Sequence, residues 1–303
     1  MNKALLAAAL ALAAFPWLAP PFYAELMTKV MIMAIFAMSL DLLVGRTGLA
    51  SFGHAAYFGL GAYTLALVSP QSDPGSLWLT LLAAVGAATV AALVNGAVVL
   101  RTRGLYFIMA TLAFAQMLFF FFHDSSYGGG SDGRYINFKP EAILFDLNRP
   151  RSFYYFVLAL LILVYAFLAL LLRSPFGRAL AGIKSNEQRM QSLGFPVTHY
   201  KLASFTIGGG LAGLAGYLFA CQYGFVNPDF LSWQQSGNVL LMVILGGVGR
   251  LAGGFVGALA FIALQEAFQS ATKHWQLPMG AAIIVLVLFL PGGLAGVAGR
   301  QRG

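Results

Sequence analysis

The sequence predicts an all-α integral membrane protein, a polytopic bundle of about 8 to 10 transmembrane helices with one or two broken or short spans. Three observations carry this expectation. Of the 303 residues, 59% are hydrophobic and only 9% are charged, against roughly 25% charged in an average soluble domain. Apolar runs of about 18 residues or more recur along the chain, separated by short polar breaks. These runs lack the alternation of a membrane β-barrel, and backbone groups in hydrocarbon must be paired, so the runs are helices.

Ten apolar segments follow in order, at approximately 4–19, 25–45, 50–68, 77–100, 104–123, 152–172, 200–222, 238–249, 253–272 and 277–297. In the first, Lys3 precedes the run Ala4 to Leu18 in the manner of a signal peptide. Pro20 and Pro21 stand where a small-residue cleavage site belongs, so a retained first span is the favoured reading. The third segment is barely long enough to cross and carries Gly48, Gly53, His54, Gly59 and Gly61, which marks it as broken. Interrupted helices at membrane depth are tolerated where protein or a watery cavity surrounds them. Ser51, His54 and Tyr57 are therefore candidates to line or border a translocation route, with plain helix packing as the alternative. The eighth segment, with about 12 residues and about 18 Å of helix, falls short of a hydrocarbon core of about 30 Å. It reads as a half-span or re-entrant piece.

Glycine is the compositional outlier, with 35 residues. Gly249, Gly253 and Gly257 recur every four positions, as do Gly209 and Gly213, and Gly292 and Gly296, a spacing that lets helix backbones approach closely. The 18 Lys and Arg, which give a net charge of +8, are scattered beside apolar runs. That is a membrane-orientation pattern rather than a nucleic-acid patch. If every segment crosses, one side receives Lys3, Arg46, Arg101, Arg103, Arg173, Arg178, Lys184, Arg189, Lys201, Arg250, Arg300 and Arg302. The other receives Lys29, Arg134, Lys139, Arg149, Arg151 and Lys273, with most carboxylates (Glu25, Asp73, Asp124, Asp132, Glu141, Asp146, Asp229). The richer side is expected to be cytoplasmic and to hold both termini. Cys221 has no partner for an intrachain disulfide.

Two connections carry information. Residues 124–151 hold a glycine-rich stretch, Tyr127 to Gly133, expected as a tight turn in an external loop, with anion binding by its N–H groups as the less favoured reading. Residues 173–200 read as one amphipathic helix from Pro175 to Leu193, capped by Ser174 and ended by Gly194 and Pro196. Ala179, Leu180, Ile183, Met190 and Leu193 share one face, while Lys184, Ser185, Gln188 and Arg189 share the other. A helix on anionic lipid, a solvated connector and a helix docked in a partner's groove all fit.

Several chemistries are absent. No G-x-x-x-x-G-K-[ST] loop occurs, and Gly246-Gly247-Val248-Gly249-Arg250 lacks its lysine. His54, His123, His199 and His274 are far apart with no H-E-x-x-H, and there is no G-x-S-x-G elbow, so no catalytic residues, metal site or cofactor are expected. Charge within the spans is limited to Asp41 and Glu266, which argues against an ion-coupled carrier.

The stretch from Ser39 to Tyr63, SLDLLVGRTGLASFGHAAYFGLGAY, resembles the permeases of branched-chain amino-acid ABC importers, the LivM-type subunit in particular. Gly129-Gly130-Ser131-Asp132-Gly133, Gly177-Arg178-Ala179-Leu180 through Leu193-Gly194, and Leu245-Gly246-Gly247-Val248-Gly249 extend the resemblance over nearly the whole chain. It departs at Asp41 and Arg46, where asparagine and an aromatic are the commoner family choices. The resemblance implies a single permease domain over 1–303 in a bacterial inner membrane, with 124–151 a periplasmic loop and 173–200 a cytoplasmic coupling loop. It implies a second, LivH-like permease subunit, two cytoplasmic ABC ATPases and a periplasmic amino-acid-binding protein as partners, and membrane lipid as solvent. Arg178, Leu180, Ile183, Lys184, Glu187, Met190, Leu193 and Gly194 are then expected at the ATPase contact. A related permease for urea, amides or another small solute is the alternative, and an ATP-independent carrier or channel a more distant one.

Overall fold

A computed structural model describes residues 3–70, 73–141, 147–290 and 292–299; Asp146, Arg300 and Arg302 of the charge pattern lie outside them. The helices run α1 (Lys3–Leu18), α2 (Pro21–Val44), α3 (His54–Val68), α4 (Leu77–Val99), α5 (Leu105–Asp124), α6 (Pro150–Arg173), α7 (Pro175–Ser185), α8 (Glu187–Ser192), α9 (Val197–Tyr223), α10 (Trp233–Gly246), α11 (Leu251–Ala271), α12 (Gln276–Phe289) and α13 (Leu294–Gly299). Two-residue strands β1 (Arg134–Tyr135) and β2 (Phe225–Val226) pair antiparallel. Among the described residues, seven stretches are long and apolar enough to cross a bilayer: α2, α4, α5, α6, α9, α11 and Gln276–Gly296. The chain is an all-α polytopic membrane protein, as its composition predicts.

Burial sorts these spans into centre and periphery. In α2, 83% of the most apolar stretch is enclosed by protein and in α9, 67%, against 18–33% for the other five. In a membrane the exterior is as apolar as the interior, so hydropathy cannot make this distinction. What marks the centre is small residues. A Cβ on Gly61 of α3 would overlap the Gly213 carbonyl of α9, and one on Gly216 of α9 would overlap the Phe58 carbonyl of α3. Gly209 and Gly213 sit against Ala92 and Ala88 of α4, so this repeat is a close crossing as its spacing suggests. Gly253 and Gly257 likewise face the Gly246 and Met242 carbonyls of α10. Gly292 and Gly296 do not follow suit. The helical path breaks between α12 and α13, and the close approach there is made instead by Gly293 (φ +68°) against Gly247.

The first helix is joined to the bundle through its proline. Pro16 has no N–H to give the Leu12 carbonyl one turn earlier, and the Tyr154 hydroxyl of α6 donates to that carbonyl at 2.7 Å. Tyr155 donates to the Ala13 carbonyl at 2.9 Å and accepts from Trp17 Nε1 at 2.7 Å.

Contacts across the connections collect the predicted charge sets at opposite ends of the bundle. Lys184 reaches the Gly45 carbonyl, and Glu187 meets both Lys201 and Arg103 at one end. At the other end the β1–β2 pair, the Ser76–Glu141 bridge and the Gln222–Glu25 contact lie together. The glycine-rich stretch forms two short 3-10 turns, Ser126–Gly128 and Gly130–Asp132, with Gly129, Gly130 and Gly133 at positive φ. The Gly128, Gly129, Gly130 and Gly133 N–H groups donate to the Ser125, Ser126 and Gly130 carbonyls within the turn, which favours the tight-turn reading.

Candidate translocation core and coupling surface

Two helices packed against the central pair, α3 and α10, are too short to span alone. At about 1.5 Å per residue, α3 (15 residues) is about 22 Å long and α10 (14 residues) about 21 Å. Each follows one of the two central helices, α3 after α2 and α10 after α9. Their first turns meet inside the bundle, where the Ala55 N–H donates to Ser236 Oγ at 3.0 Å. The chain entering α3 leaves N–H groups without helical partners, and side-chain oxygens take them up. Phe52 N donates to Thr111 Oγ1 at 3.3 Å and Gly53 N to Ser51 Oγ at 3.2 Å. Ser232 caps α10 through Gln235 N. The sequence identifies both interruptions; the serine of one half-helix capping the other has no signal at sequence level.

Ser51, His54 and Tyr57, expected to line or border a route, are enclosed within this chain. All three have zero exposure. His54 Nε2 pairs with Ser39 Oγ at 2.9 Å, and Tyr57 OH accepts from Asn95 Nδ2 at 2.6 Å. His54 and Tyr57 tie α3 to α2 and α4, as the packing alternative expects, while Ser51 holds the chain entering α3. Cysteines placed at 51, 54 and 57 should therefore stay unreactive towards a small hydrophilic thiol reagent; rapid labelling of any one would restore the route-lining reading.

Leu245 to Gly249 forms a tight reversal between α10 and α11, with Gly247 and Gly249 at φ +107° and +81°. Gly249 N donates to Asp41 Oδ1 at 2.7 Å, locking the reversal to the end of α2. A Cβ on Gly45 would lie 2.7 Å from Gly249 Cα, so the two backbones touch. Only one carboxylate oxygen works here, because Asp41 Oδ2 is buried without a partner. An asparagine would supply the same acceptor without the charge. Asp41→Asn should leave thermal stability within about 1 kcal/mol of the parent, whereas Asp41→Leu should lose about 1–3 kcal/mol by orphaning the Gly249 N–H. Equal stability of the two variants in detergent would remove this role.

The connection 173–200 is helical but not one helix. Asn186, at φ −158° and ψ 102°, breaks it, and its side chain caps α8 by accepting from Arg189 N at 2.9 Å. Ser174 does not cap; its hydroxyl turns back to the Leu171 carbonyl at 2.6 Å. Pro175 does open α7 and Gly194, at φ +83°, does end the unit. The break folds α8 onto α7, where Met190 sulfur lies 2.8 Å from the place a Cβ on Gly182 would take.

That fold decides where the apolar face of the loop lies. Leu180 and Ile183 are 0% and 3% exposed, so they pack into this chain's own bundle and cannot enter a partner's groove. Lys184 Nζ is spent on the Gly45 carbonyl at 2.8 Å, and Glu187 on Lys201 at 2.6 Å and Arg103 at 3.8 Å. Arg178, Arg189, Gly194 and Leu193, the last 64% exposed, remain outward.

The family described as "Branched-chain amino acid transport system / permease component" matches residues 22–299. The chain belongs to this family. The match to these permeases begins inside α2 and runs into α13, taking in both half-helices, the Asp41-anchored reversal and the α7–α8 loop, while α1 precedes it. Among related permeases, the high-affinity branched-chain amino acid transport system permease protein LivM of Salmonella typhimurium is 30% identical, over 93% of this chain and 72% of its own length. LivM of Escherichia coli K12 is also 30% identical, over 97% and 75%. The permease protein LivH of E. coli K12 is 24% identical over 87% and 91%. No solved structure matches.

Proposed function

We propose that this permease is the membrane-spanning subunit of an ATP-binding-cassette importer that carries branched-chain, or closely similar, amino acids across a bacterial inner membrane. The observation that carries the reading is the 30% identity to LivM proteins over 93–97% of the chain. Full-length likeness to LivH as well supports a pair of similar permease subunits around one path. In this reading two ATPases bind the end that holds Arg103, Lys184 and Glu187, with residues 173–200 as the coupling loop. A periplasmic amino-acid-binding protein docks at the other end, where 124–151 is the periplasmic loop. The chain is not an enzyme.

Two measurements test this. The purified subunit alone should neither bind nor hydrolyse ATP, since it has no phosphate-cradling loop; specific turnover by the single chain would overturn the assignment. Proteoliposomes holding the permease with its LivH-like partner, ATPases and binding protein should take up labelled leucine only with ATP inside the compartment facing the ATPases. Uptake of leucine by the permease pair alone would make it a carrier, and ATP-driven uptake of urea in place of leucine would overturn the substrate.

A further inference from the structure

A cavity of about 760 Å³ opens between α1, α2, α6, α9 and α11, at the end of the bundle opposite the coupling loop. Its walls are apolar where Pro16, Phe22, Leu26 and Phe153 line it, yet two charged side chains project into it from transmembrane helices. Lys29 lies about 12 Å along α2, and Glu266 about 8 Å before the end of α11. Ionisable groups at such depth are costly, and they mark functional sites unless they neutralise each other directly. These two do not. The field of Glu266 reaches Lys29, but among the described residues neither makes an ion pair or a side-chain hydrogen bond. Gln222, also in the wall, has a buried Oε1 without a partner while its Nε2 is held by the Glu25 carbonyl at 2.9 Å.

The mouth is basic and braced. Lys139 is held over the Phe153 ring at 5.4 Å and Arg151 over the Trp17 ring at 4.9 Å, with Arg149 and Glu25 completing the charged lining. A purely anionic ligand would leave Glu266 unmatched, and a purely cationic one would leave Lys29 unmatched. We infer that this cavity binds a zwitterionic amphiphile, with an anionic group at Lys29 and the basic mouth, a primary ammonium at Glu266 and Gln222 Oε1, and an aliphatic part against the apolar walls. Two sources share that chemistry: phosphatidylethanolamine from the surrounding bilayer, and a free aliphatic amino acid. The inference stands on the cavity alone and does not depend on the importer reading.

The test uses the full-length chain in nanodiscs of equal phosphatidylethanolamine and phosphatidylglycerol, with retained lipid read by native mass spectrometry and leucine binding by equilibrium dialysis. Wild type should retain phosphatidylethanolamine about tenfold over phosphatidylglycerol, and Glu266→Gln should abolish that preference. Lys29→Gln should lose both lipids and Lys29→Arg should keep them. Retention unaffected by millimolar leucine assigns the site to lipid; leucine that binds, displaces the lipid and fails to bind Lys29→Gln assigns it to the amino acid. A readout on wild-type protein keeps the test independent of variant folding: amine acylation of Lys29 should fall about tenfold in phosphatidylethanolamine relative to phosphatidylglycerol nanodiscs, or on adding leucine. Equal retention of both lipids by wild type without leucine binding, unchanged selectivity in Glu266→Gln, or Lys29 acylation indifferent to both ligands would overturn it.

Discussion

Gly216→Val should leave almost no folded subunit in the membrane, while Gly86→Val should be nearly silent. A side chain at 216 would have to occupy the position of the Phe58 carbonyl, and the reciprocal contact, Gly61 on the Gly213 carbonyl, lies one turn away on the same α3–α9 crossing. Overpacking usually costs about 1–3 kcal/mol because neighbouring side chains shift. Here the obstacle is helix backbone, so α9 must move off α3 as a body. Doing so also strips α9 from Ala88 and Ala92 of α4. Lipid offers no hydrophobic force to hold separated helices together, since close packing supplies most of their association. A total stability of about 5–15 kcal/mol does not survive the loss of its central crossing. Gly86 of α4 has nothing within 4 Å of its would-be Cβ. In detergent, Gly216→Val should lose the monodisperse gel-filtration peak and Gly86→Val should keep it with an unfolding midpoint within a few degrees. Matching behaviour would mean that α3 and α9 are not the packing centre.

Length and hydropathy made the helices legible: nine of the ten apolar segments correspond to one helix each and the tenth takes in α12 and the start of α13, with α10 beginning earlier than its apolar run because Gln234 to Ser236 is polar and the helix is capped by Ser232. Both interruptions, at Gly48 to Gly53 and at Gly247 to Gly249, were readable from glycine, because only positive φ or backbone contact requires it there. What could not be read was direction. His54 and Tyr57 are polar groups in an apolar segment, and the sequence does not say whether water or another side chain satisfies them; the structure supplies Ser39 and Asn95. The same ambiguity attends the helix expected to couple. An apolar stripe with Leu180 and Ile183 must face something apolar, and its own bundle satisfies that need as well as a partner does. The break at Asn186 was missed since asparagine within a helical pattern is only weakly unfavourable, until its side chain finds an N–H to cap. Glu266 was legible as a charge within a span, but Lys29 was counted with the external bases although it lies inside α2; that the two line one cavity was hidden by distance, since they sit more than two hundred positions apart.

The burial of Leu180 and Ile183 changes which substitutions should uncouple the ATPase. Ile183→Asp puts a carboxylate where the side chain is 3% exposed, forfeits about 1.5–3 kcal/mol of burial and strands a charge, so it should destabilise the permease itself. Leu193→Asp is different in kind. Leu193 is 64% exposed beside Gly194, and Phe195 next to it is 39% exposed, so an aspartate there costs the isolated subunit little. If this apolar pair is the anchor seated in the ATPase, its loss should match an interface hot spot of about 2 kcal/mol or more, and about 30-fold weaker association. Lys184→Ala should sit between the two, releasing the Gly45 carbonyl and loosening the loop without removing an outward contact. The expected pattern is that Leu193→Asp purifies as a folded permease that no longer retains its ATPase and no longer transports. Ile183→Asp should instead fail to accumulate, with no ATPase-free folded population. Should Leu193→Asp keep its ATPase and transport at the parental rate, this outward corner is not the coupling contact, and Arg178 and Arg189 on the same loop become the surface to vary.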